Sequence, residues 1–173
     1  FPQFNKDIWE NEREKAKAEI ITDSQFESYA SDINPECVKI ATENMWDWDN
    51  QENHAAPAVC SSPQSFLEHL NAVNDEYFVA CLDVGHAEMK GLGTNSVEMI
   101  RALAGKLQAL HLHDNDLWHD SHQIPFSMSM DFEGIVKTLK EIGYQGDFTL
   151  EADAYLGSYD KETVFKGIQN LAD

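Results

Sequence analysis

The sequence has few basic residues, few cysteines and no long apolar run. Lys and Arg together number 12 against 31 Asp and Glu, which gives a formal net charge of −19. Such a field repels polyanions over the roughly 10 Å on which charges act in moderate salt. The longest apolar runs, such as residues 77–82, are far shorter than the ~20 residues of a membrane helix. We therefore expect a cytoplasmic protein that binds neither nucleic acid nor membranes, and the first residues show no signal-peptide pattern.

The three cysteines do not form a metal-binding or disulfide pattern. Cys37, Cys60 and Cys81 are widely spaced, odd in number and without a CxxC pair. This pattern suits a reducing compartment and excludes a cysteine zinc site. We expect all three to be reduced packing residues.

The composition, with 42% apolar and 10% aromatic residues, predicts one globular domain. Residues 5–20 are rich in Glu, Lys and Ala and predict an exposed helix. Residues 22–36 are polar and contain Asn34-Pro35, so they predict a loop. We therefore divide the chain into a leading helix and loop at residues 1–36 and a main unit at residues 37–173.

From residue 37 onward the sequence repeats one order, a short apolar run followed by a loop and an amphipathic helix. The predicted strands are residues 38–43, 77–83, 107–113 and 148–151. A helix beginning at Ser62, with Pro63 at its first position, follows the first strand after a long loop. The other helices are predicted at residues 96–104, 131–142 and 161–171. Four βα units predict an α/β fold with a parallel sheet.

A metal-ligand type of side chain ends each predicted strand. In parallel α/β proteins the carboxyl ends of the strands meet where ligands bind. One such residue alone is explained equally well by helix capping or loop hydrogen bonds, but four in register predict one site. Its hard donors favour Mn²⁺, Mg²⁺ or Co²⁺, with Zn²⁺ as a further candidate. The four predicted metal ligands are Glu43, Asp83, His113 and Glu151.

Other polar and aromatic residues near the strand ends are candidates for substrate binding. The loop at residues 114–130 is long for a βα loop, which is typical of a functional segment. Aromatic rings at a polar rim suit the apolar face of a sugar. His111 faces the same side of its strand as His113, and we assign it a supporting role. The predicted substrate-binding residues are His86, Trp46, Trp118, His119 and His122.

Five stretches of the sequence resemble the xylose-isomerase-like TIM-barrel superfamily, also described as sugar phosphate isomerases and epimerases. These stretches are residues 40–46, 81–87, 109–116, 119–126 and 143–153. The resemblance implies a divalent metal bound by the four strand-end residues, and substrate binding by His86. In the ketose 3-epimerase members that the chain is similar to, the two glutamates also exchange a proton. Glu43 and Glu151 are accordingly the expected catalytic residues of an isomerase that passes through an enediolate.

The chain departs from the superfamily pattern in two ways. Such barrels have eight βα units, whereas four are predicted here, matching the carboxyl-terminal half. Relatives place a glycine in a stretch that here reads Ser127, Met128, Ser129 and Met130. We therefore expect the unit to be incomplete, with the other half coming from a missing amino-terminal segment or from a second copy in a homo-oligomer. The expected substrate is a small, unphosphorylated sugar or polyol.

Two alternatives to the isomerase remain open. A non-catalytic or incomplete half-barrel that binds metal or assembles with another chain would explain the low unit count. An abasic-site endonuclease shares the fold, but it would require a basic surface and more histidine ligands. The net charge of −19 argues against that second alternative.

Overall fold

Four short apolar runs form one parallel sheet in the computed structural model, which describes residues 6–22 and 37–172. The strands are β1 (Ile40–Glu43), β4 (Phe78–Asp83), β5 (Leu107–Leu112) and β6 (Asp147–Leu150), in the spatial order β1-β4-β5-β6. All three pairings are parallel, with a register shift where β4 meets β5. The predicted α/β fold, with about four βα units of a barrel, is confirmed.

A short antiparallel hairpin follows β1, where the sequence predicted a long loop. Its strands are β2 (Trp46–Asp49) and β3 (His54–Pro57). Each strand has only four residues, and the apolar-polar alternation of so short a segment does not distinguish it from a loop. The two tryptophans of β2 are thereby held on an ordered ribbon instead of a flexible connection.

The helices are α1 (Lys6–Thr22), α2 (Pro63–Val73), α3 (Val84–Glu88), α4 (Ser96–Leu103), α5 (Phe132–Ile142), α6 (Asp153–Leu156) and α7 (Val164–Ala172). A 3-10 turn at Ala104–Lys106 joins α4 to β5. The predicted helices match α1, α2, α4, α5 and α7 within a few residues. The short helices α3 and α6 were not predicted, because one turn of helix carries no periodic pattern.

Local capping interactions fix two of the helix ends that the sequence indicated. The Ser62 hydroxyl accepts a hydrogen bond from the Ser65 amide, and the Ser65 side chain bonds back to the Ser62 amide. Asp131 caps α5 by accepting from the Gly134 amide. Gly143 ends α5 in the left-handed conformation with φ 66°, which costs glycine little.

The hydrophobic core lies between the sheet and the helices α2, α4 and α5. All six residues of β4 are buried, as expected for the inner strand of a parallel sheet. Its neighbours in the core are Phe66 and Leu70 from α2, Ile100 from α4 and Ile135 from α5. This packing holds the carboxyl ends of the strands on a rigid layer.

The leading helix contacts the main unit directly. The Arg13 side chain donates a hydrogen bond to the Val38 carbonyl oxygen at 2.8 Å, and its guanidinium stacks 3.9 Å from the Tyr77 ring centre. The predicted loop at residues 22–36 lies outside the described residues from position 23 onward. The boundary at residue 36 therefore stays a prediction.

The cysteines differ in exposure, which corrects one sequence expectation. Cys60 and Cys81 are buried, whereas Cys37 is exposed and is not a packing residue. Burial raises the pKa of the Cys60 thiol to about 11 and that of the Cys81 thiol to about 12. The two buried thiols are therefore protonated and unreactive near neutral pH. The position of Cys37 before the first strand explains the difference.

The sheet has two open edges among the described strands. All four residues of β6 are exposed, including Phe148 at 61% and Leu150 at 44%. A groove of about 320 Å³, lined in part by Val136, Tyr144 and Phe148, lies between α5 and β6. Within residues 6–22 and 37–172, none of the helices has the length and apolar character needed to cross a membrane.

The open edge at β6 predicts a contrast between two paired apolar residues. Leu110 is fully buried, and its register partner Phe148 is largely exposed. Leu110→Ala should lower the free energy of unfolding by about 2–5 kcal/mol, because it leaves a cavity. Phe148→Ala should cost less than about 1 kcal/mol, because little apolar contact is lost. Urea denaturation of both variants measures this, and equal losses would show that β6 is covered in solution.

Candidate metal centre at the strand ends

The four predicted ligands all lie at the carboxyl edge of the sheet. Glu43 and Asp83 are the last residues of β1 and β4, while His113 and Glu151 come just after β5 and β6. The side chains of Asp83 and His113 have no exposure, whereas Glu43 and Glu151 are exposed by 28% and 30%. The edge therefore has a buried part and a part open to solvent.

His111 joins the two glutamates. Its Nδ1 atom makes a hydrogen bond with Glu43 Oε1 at 3.2 Å and lies 3.0 Å from Glu151 Oε1. Asp83 pairs with His111 across β4 and β5, and one ligand atom each from Asp83, His111 and Glu151 lie within 4.8 Å of one another. These atoms form a compact group of the size that a single cation can bridge.

His113 has different neighbours. Its Nε2 atom makes a hydrogen bond with Asp83 Oδ1 at 3.1 Å and lies 3.4 Å from Asp120 Oδ1. Its ring stacks on that of His122, with centres 4.2 Å apart and planes inclined by 9°. The sequence predicts His113 as the ligand and His111 as a supporting residue, whereas in the structure His111 contacts both glutamates. The deciding feature is the strand register, which the sequence does not show.

The Asp83 carboxylate is fixed on one side and free on the other. Its Oδ1 accepts from the His86 amide at 2.8 Å as well as from His113, while its buried Oδ2 has no hydrogen-bond partner within the described part of the chain. Burial alone would raise the pKa of Asp83, but these hydrogen bonds and the neighbouring histidines lower it. An ionised, buried oxygen without a donor fits a cation site.

Asn44 was not predicted from the sequence, although its side chain bonds the backbone of Asp83. It is buried, donates from its side chain to the Asp83 carbonyl oxygen at 3.0 Å, and accepts from the Asp83 amide at 2.8 Å. The end of β1 is therefore tied to the end of β4. The sequence shows only an Asn directly after a strand-end Glu, and the burial that makes such an amide require partners is visible in the structure alone.

A second group of ligand atoms lies beside the first. It comprises His86, His113, Asp120 and His122, with one atom from each within 4.8 Å of the others. The Nδ1 atom of His86 lies 2.8 Å from the Asn44 carbonyl oxygen, and that of His122 lies 3.0 Å from the Glu151 carbonyl oxygen. Because a carbonyl oxygen only accepts, both Nδ1 atoms carry a hydrogen. Their Nε2 atoms face Asp120, at 3.1 and 3.3 Å. Histidines that bind metals are oriented in this way.

Charge interactions shift the pKa values across both groups. Burial disfavours the charged form of His86, but its hydrogen bond with Asp120 and the charge of Asp83 raise its pKa to about 9. Burial would raise the pKa of Asp120, yet the same hydrogen bond and the nearby histidines lower it to about 2. Burial raises the pKa of Glu43. Shifts of this kind are concentrated at functional sites.

The predicted substrate-binding residues divide into two sets. Trp46 contacts His86 edge to face, with ring centres 6.5 Å apart, and His86 and His122 belong to the second ligand group. These three residues therefore lie at the candidate metal centre. Trp118 instead stacks with the Lys90 ammonium at 4.6 Å, and His119 pairs with Asp116 at 2.8 Å. The structure does not bring Trp118 and His119 into either ligand group.

Hydrogen bonds hold the loop at residues 114–130 in a locally strained conformation. Leu117, His122 and Phe126 have φ values of 70°, 44° and 69°, a region that non-glycine residues rarely adopt. The Asp114 carboxylate accepts hydrogen bonds from the amides of Met128 and Met130 at 2.8 and 3.1 Å. Interactions at both ends therefore hold the strained conformation.

Comparison with known proteins agrees with this architecture. The sequence profile of the xylose isomerase-like TIM barrel family matches residues 6–172. The chain belongs to this family. An uncharacterized protein of Methanocaldococcus jannaschii, MJ1311, is 26% identical over 151 residues, which is 87% of this chain and 48% of that protein.

Solved structures of similar fold include proteins named as sugar epimerases. A D-tagatose 3-epimerase-like protein matches with a TM-score of 0.58 and 23% identity, over 99% of this chain and 56% of its own. The D-psicose 3-epimerase of Clostridium cellulolyticum H10 matches with a TM-score of 0.57 and 15% identity, over 98% and 56%. This xylose isomerase-like chain thus spans about half the length of the relatives it matches, and the likeness establishes the fold.

Gly85 provides a test of the packing at the centre. A Cβ atom there would lie 2.0 Å from Cε1 of His113, so Gly85→Ala must displace the imidazole. We expect a loss of about 1–3 kcal/mol in unfolding free energy. Gly105→Ala is the control, because a Cβ there meets no atom of the described residues within 4 Å. Thermal unfolding compares the two, and equal stabilities would contradict the packing described.

Proposed function

We propose that this chain contributes the metal-binding half of a sugar isomerase or epimerase. The proposed ligands of one divalent cation, manganese among the candidates, are Glu43, Asp83, His111 and Glu151. His111 replaces His113 in the set expected from the sequence, because its Nδ1 lies within 3.2 Å of both glutamates. This shared contact is the observation that carries the proposal.

The donor set fits a hard divalent cation. Three carboxylates and one imidazole suit Mn²⁺, Mg²⁺ or Co²⁺, and the buried Oδ2 of Asp83 has no hydrogen-bond donor among the described residues. The negative charges of Glu43, Asp83 and Glu151 repel one another at this edge, and His111 Nδ1 lies within 3.2 Å of both glutamates. A cation would relieve the same repulsion more completely.

The two glutamates are suited to exchange a proton with a substrate. Glu43 and Glu151 approach the His111 nitrogen from the ends of the two edge strands, β1 and β6, and both are partly exposed. Burial raises the pKa of Glu43, which makes its carboxylate a better base. We propose that one glutamate removes the proton beside the carbonyl and the other returns it, through an enediolate. A bound divalent cation would supply polarisation of the carbonyl and adjacent hydroxyl oxygens.

The proposed substrate is a small, unphosphorylated sugar or polyol. Barrel phosphate sites use the loops after the last two strands, with basic side chains or free backbone amides. Here the segments at residues 114–130 and 152–160 contain no Lys or Arg. They carry five aspartates instead, which would repel a phosphate: Asp114, Asp116, Asp120, Asp153 and Asp160. Trp46, His86 and His122 are the proposed substrate contacts.

The second ligand group favours one competing function. Three histidines with Asp120 beside the first group would suit a centre with more than one cation, which cleaves phosphate esters in many enzymes. This is the endonuclease alternative, and the histidine ligands that it requires are present. The net charge of −19 still opposes binding of a polyanion, so we place the isomerase first.

Glu151→Gln tests the proposed ligand set. The variant should bind Mn²⁺ at least tenfold more weakly and should lose proton exchange, since an amide is a poorer ligand and no base. The fold should persist, because the side chain is partly exposed at the rim. Calorimetric titration with Mn²⁺ measures the affinity. Glu76→Gln is the matched control, because Glu76 is exposed and precedes β4 at the opposite end of the strand.

The substrate class is tested by isotope exchange in D₂O. Free ketohexoses incubated with the protein and Mn²⁺ should acquire deuterium at the carbon beside the carbonyl, as followed by NMR. Ketose phosphates should exchange more slowly, because the aspartate-rich loops repel them. Faster exchange in the phosphates would contradict the proposed substrate, and cleavage of an abasic-site oligonucleotide would favour the competing function.

A further inference from the structure

His113 is a buried histidine that the proposed ligand set does not use. Its side chain has no exposure, its ring stacks on His122, and Gly85 leaves space for it on the other side. A histidine this enclosed is either packing or a partner for a charged neighbour. Its contacts decide between these roles.

The Nε2 atom of His113 contacts two carboxylates. Nε2 is 3.1 Å from Asp83 Oδ1 and 3.4 Å from Asp120 Oδ1. Because both neighbours are acceptors, Nε2 carries the hydrogen and donates it to Asp83. The Nδ1 atom is buried and has no hydrogen-bond partner in the described ranges. The side chain thus makes one directed hydrogen bond, and that bond is to a proposed ligand.

The bond determines which Asp83 oxygen is free. Oδ1 is occupied by the His86 amide and by His113, so the carboxylate cannot rotate without losing both. Oδ2 is left buried and without a donor among the residues described. Hydrogen bonds of this kind hold ligand side chains in the geometry that a metal requires.

We propose that His113 is a positioning residue that holds Asp83 with Oδ2 available to the cation, and that it is not itself a ligand. This inference rests on the proposed function, because it takes Asp83 as a ligand. His113 also faces Asp120, so the same imidazole links the end of β4 to the loop at residues 114–130.

The test compares two substitutions of His113 in the full chain. His113→Leu replaces the imidazole with an apolar side chain of similar size and so removes the Nε2–H donor. His113→Gln keeps an N–H group near the position of Nε2. We expect His113→Leu to weaken Mn²⁺ binding about tenfold to a hundredfold, and His113→Gln to restore most of the affinity. His69→Leu is the control, because His69 packs on Phe78 and should leave Mn²⁺ affinity unchanged.

Pulsed electron paramagnetic resonance of bound Mn²⁺ separates positioning from ligation. The imidazole nitrogen coupling of the wild type should persist in His113→Leu, because it comes from His111, even though the affinity falls. Loss of that coupling would make His113 a ligand and overturn the inference. Equal affinity of His113→Leu and wild type would also overturn it, as would equal weakening in the Leu and Gln variants. No Mn²⁺ binding by the wild type would refute the proposed function itself.

Discussion

Repulsion among carboxylates at one rim is the constraint on which the rest of the site depends. Parallel strands carry Glu43, Asp83 and Glu151 to the same edge, and Asp120 approaches from the following loop. Such charges at short range are stable together only with compensating groups between them. His111 lies between the two glutamates, and three further histidines surround Asp120. Although burial lowers the pKa of His86 and of His113, the neighbouring carboxylates raise both, so these two histidines offset part of the negative charge. A bound cation would offset more of it.

The rigid sheet is what allows so much charge to be concentrated. The central strand β4 is buried along its whole length, so Asp83 at its end is held by backbone and packing. Asn44 then holds the backbone of Asp83 through its amide and carbonyl groups, and His113 holds its side chain. A flexible loop would separate the carboxylates, whereas the sheet holds them at short range and leaves a cation or protonated histidines to offset the repulsion.

The sequence predicted the parallel α/β fold, which is confirmed, and placed its four candidate ligands at one edge of the sheet, but it did not indicate which histidine contacts the glutamates. Regular βα units and helix caps such as Ser62 carry local signals, so their positions could be read directly. The choice between His111 and His113 depends on the register between β4 and β5, with its shift after Ala80, which is a long-range property. The second ligand group likewise depends on a loop conformation with His122 at φ 44°, which no local pattern specifies.

In the proposed site, the cation binds between the strand-end glutamates, with His111 as its nitrogen ligand. A crystal structure of the protein with Mn²⁺, with the ion located by its anomalous scattering, tests this most directly. We expect one strong peak about 2 Å from a His111 nitrogen and within reach of Glu43, Asp83 and Glu151. A peak coordinated by His113, with His111 outside coordination distance, would contradict it.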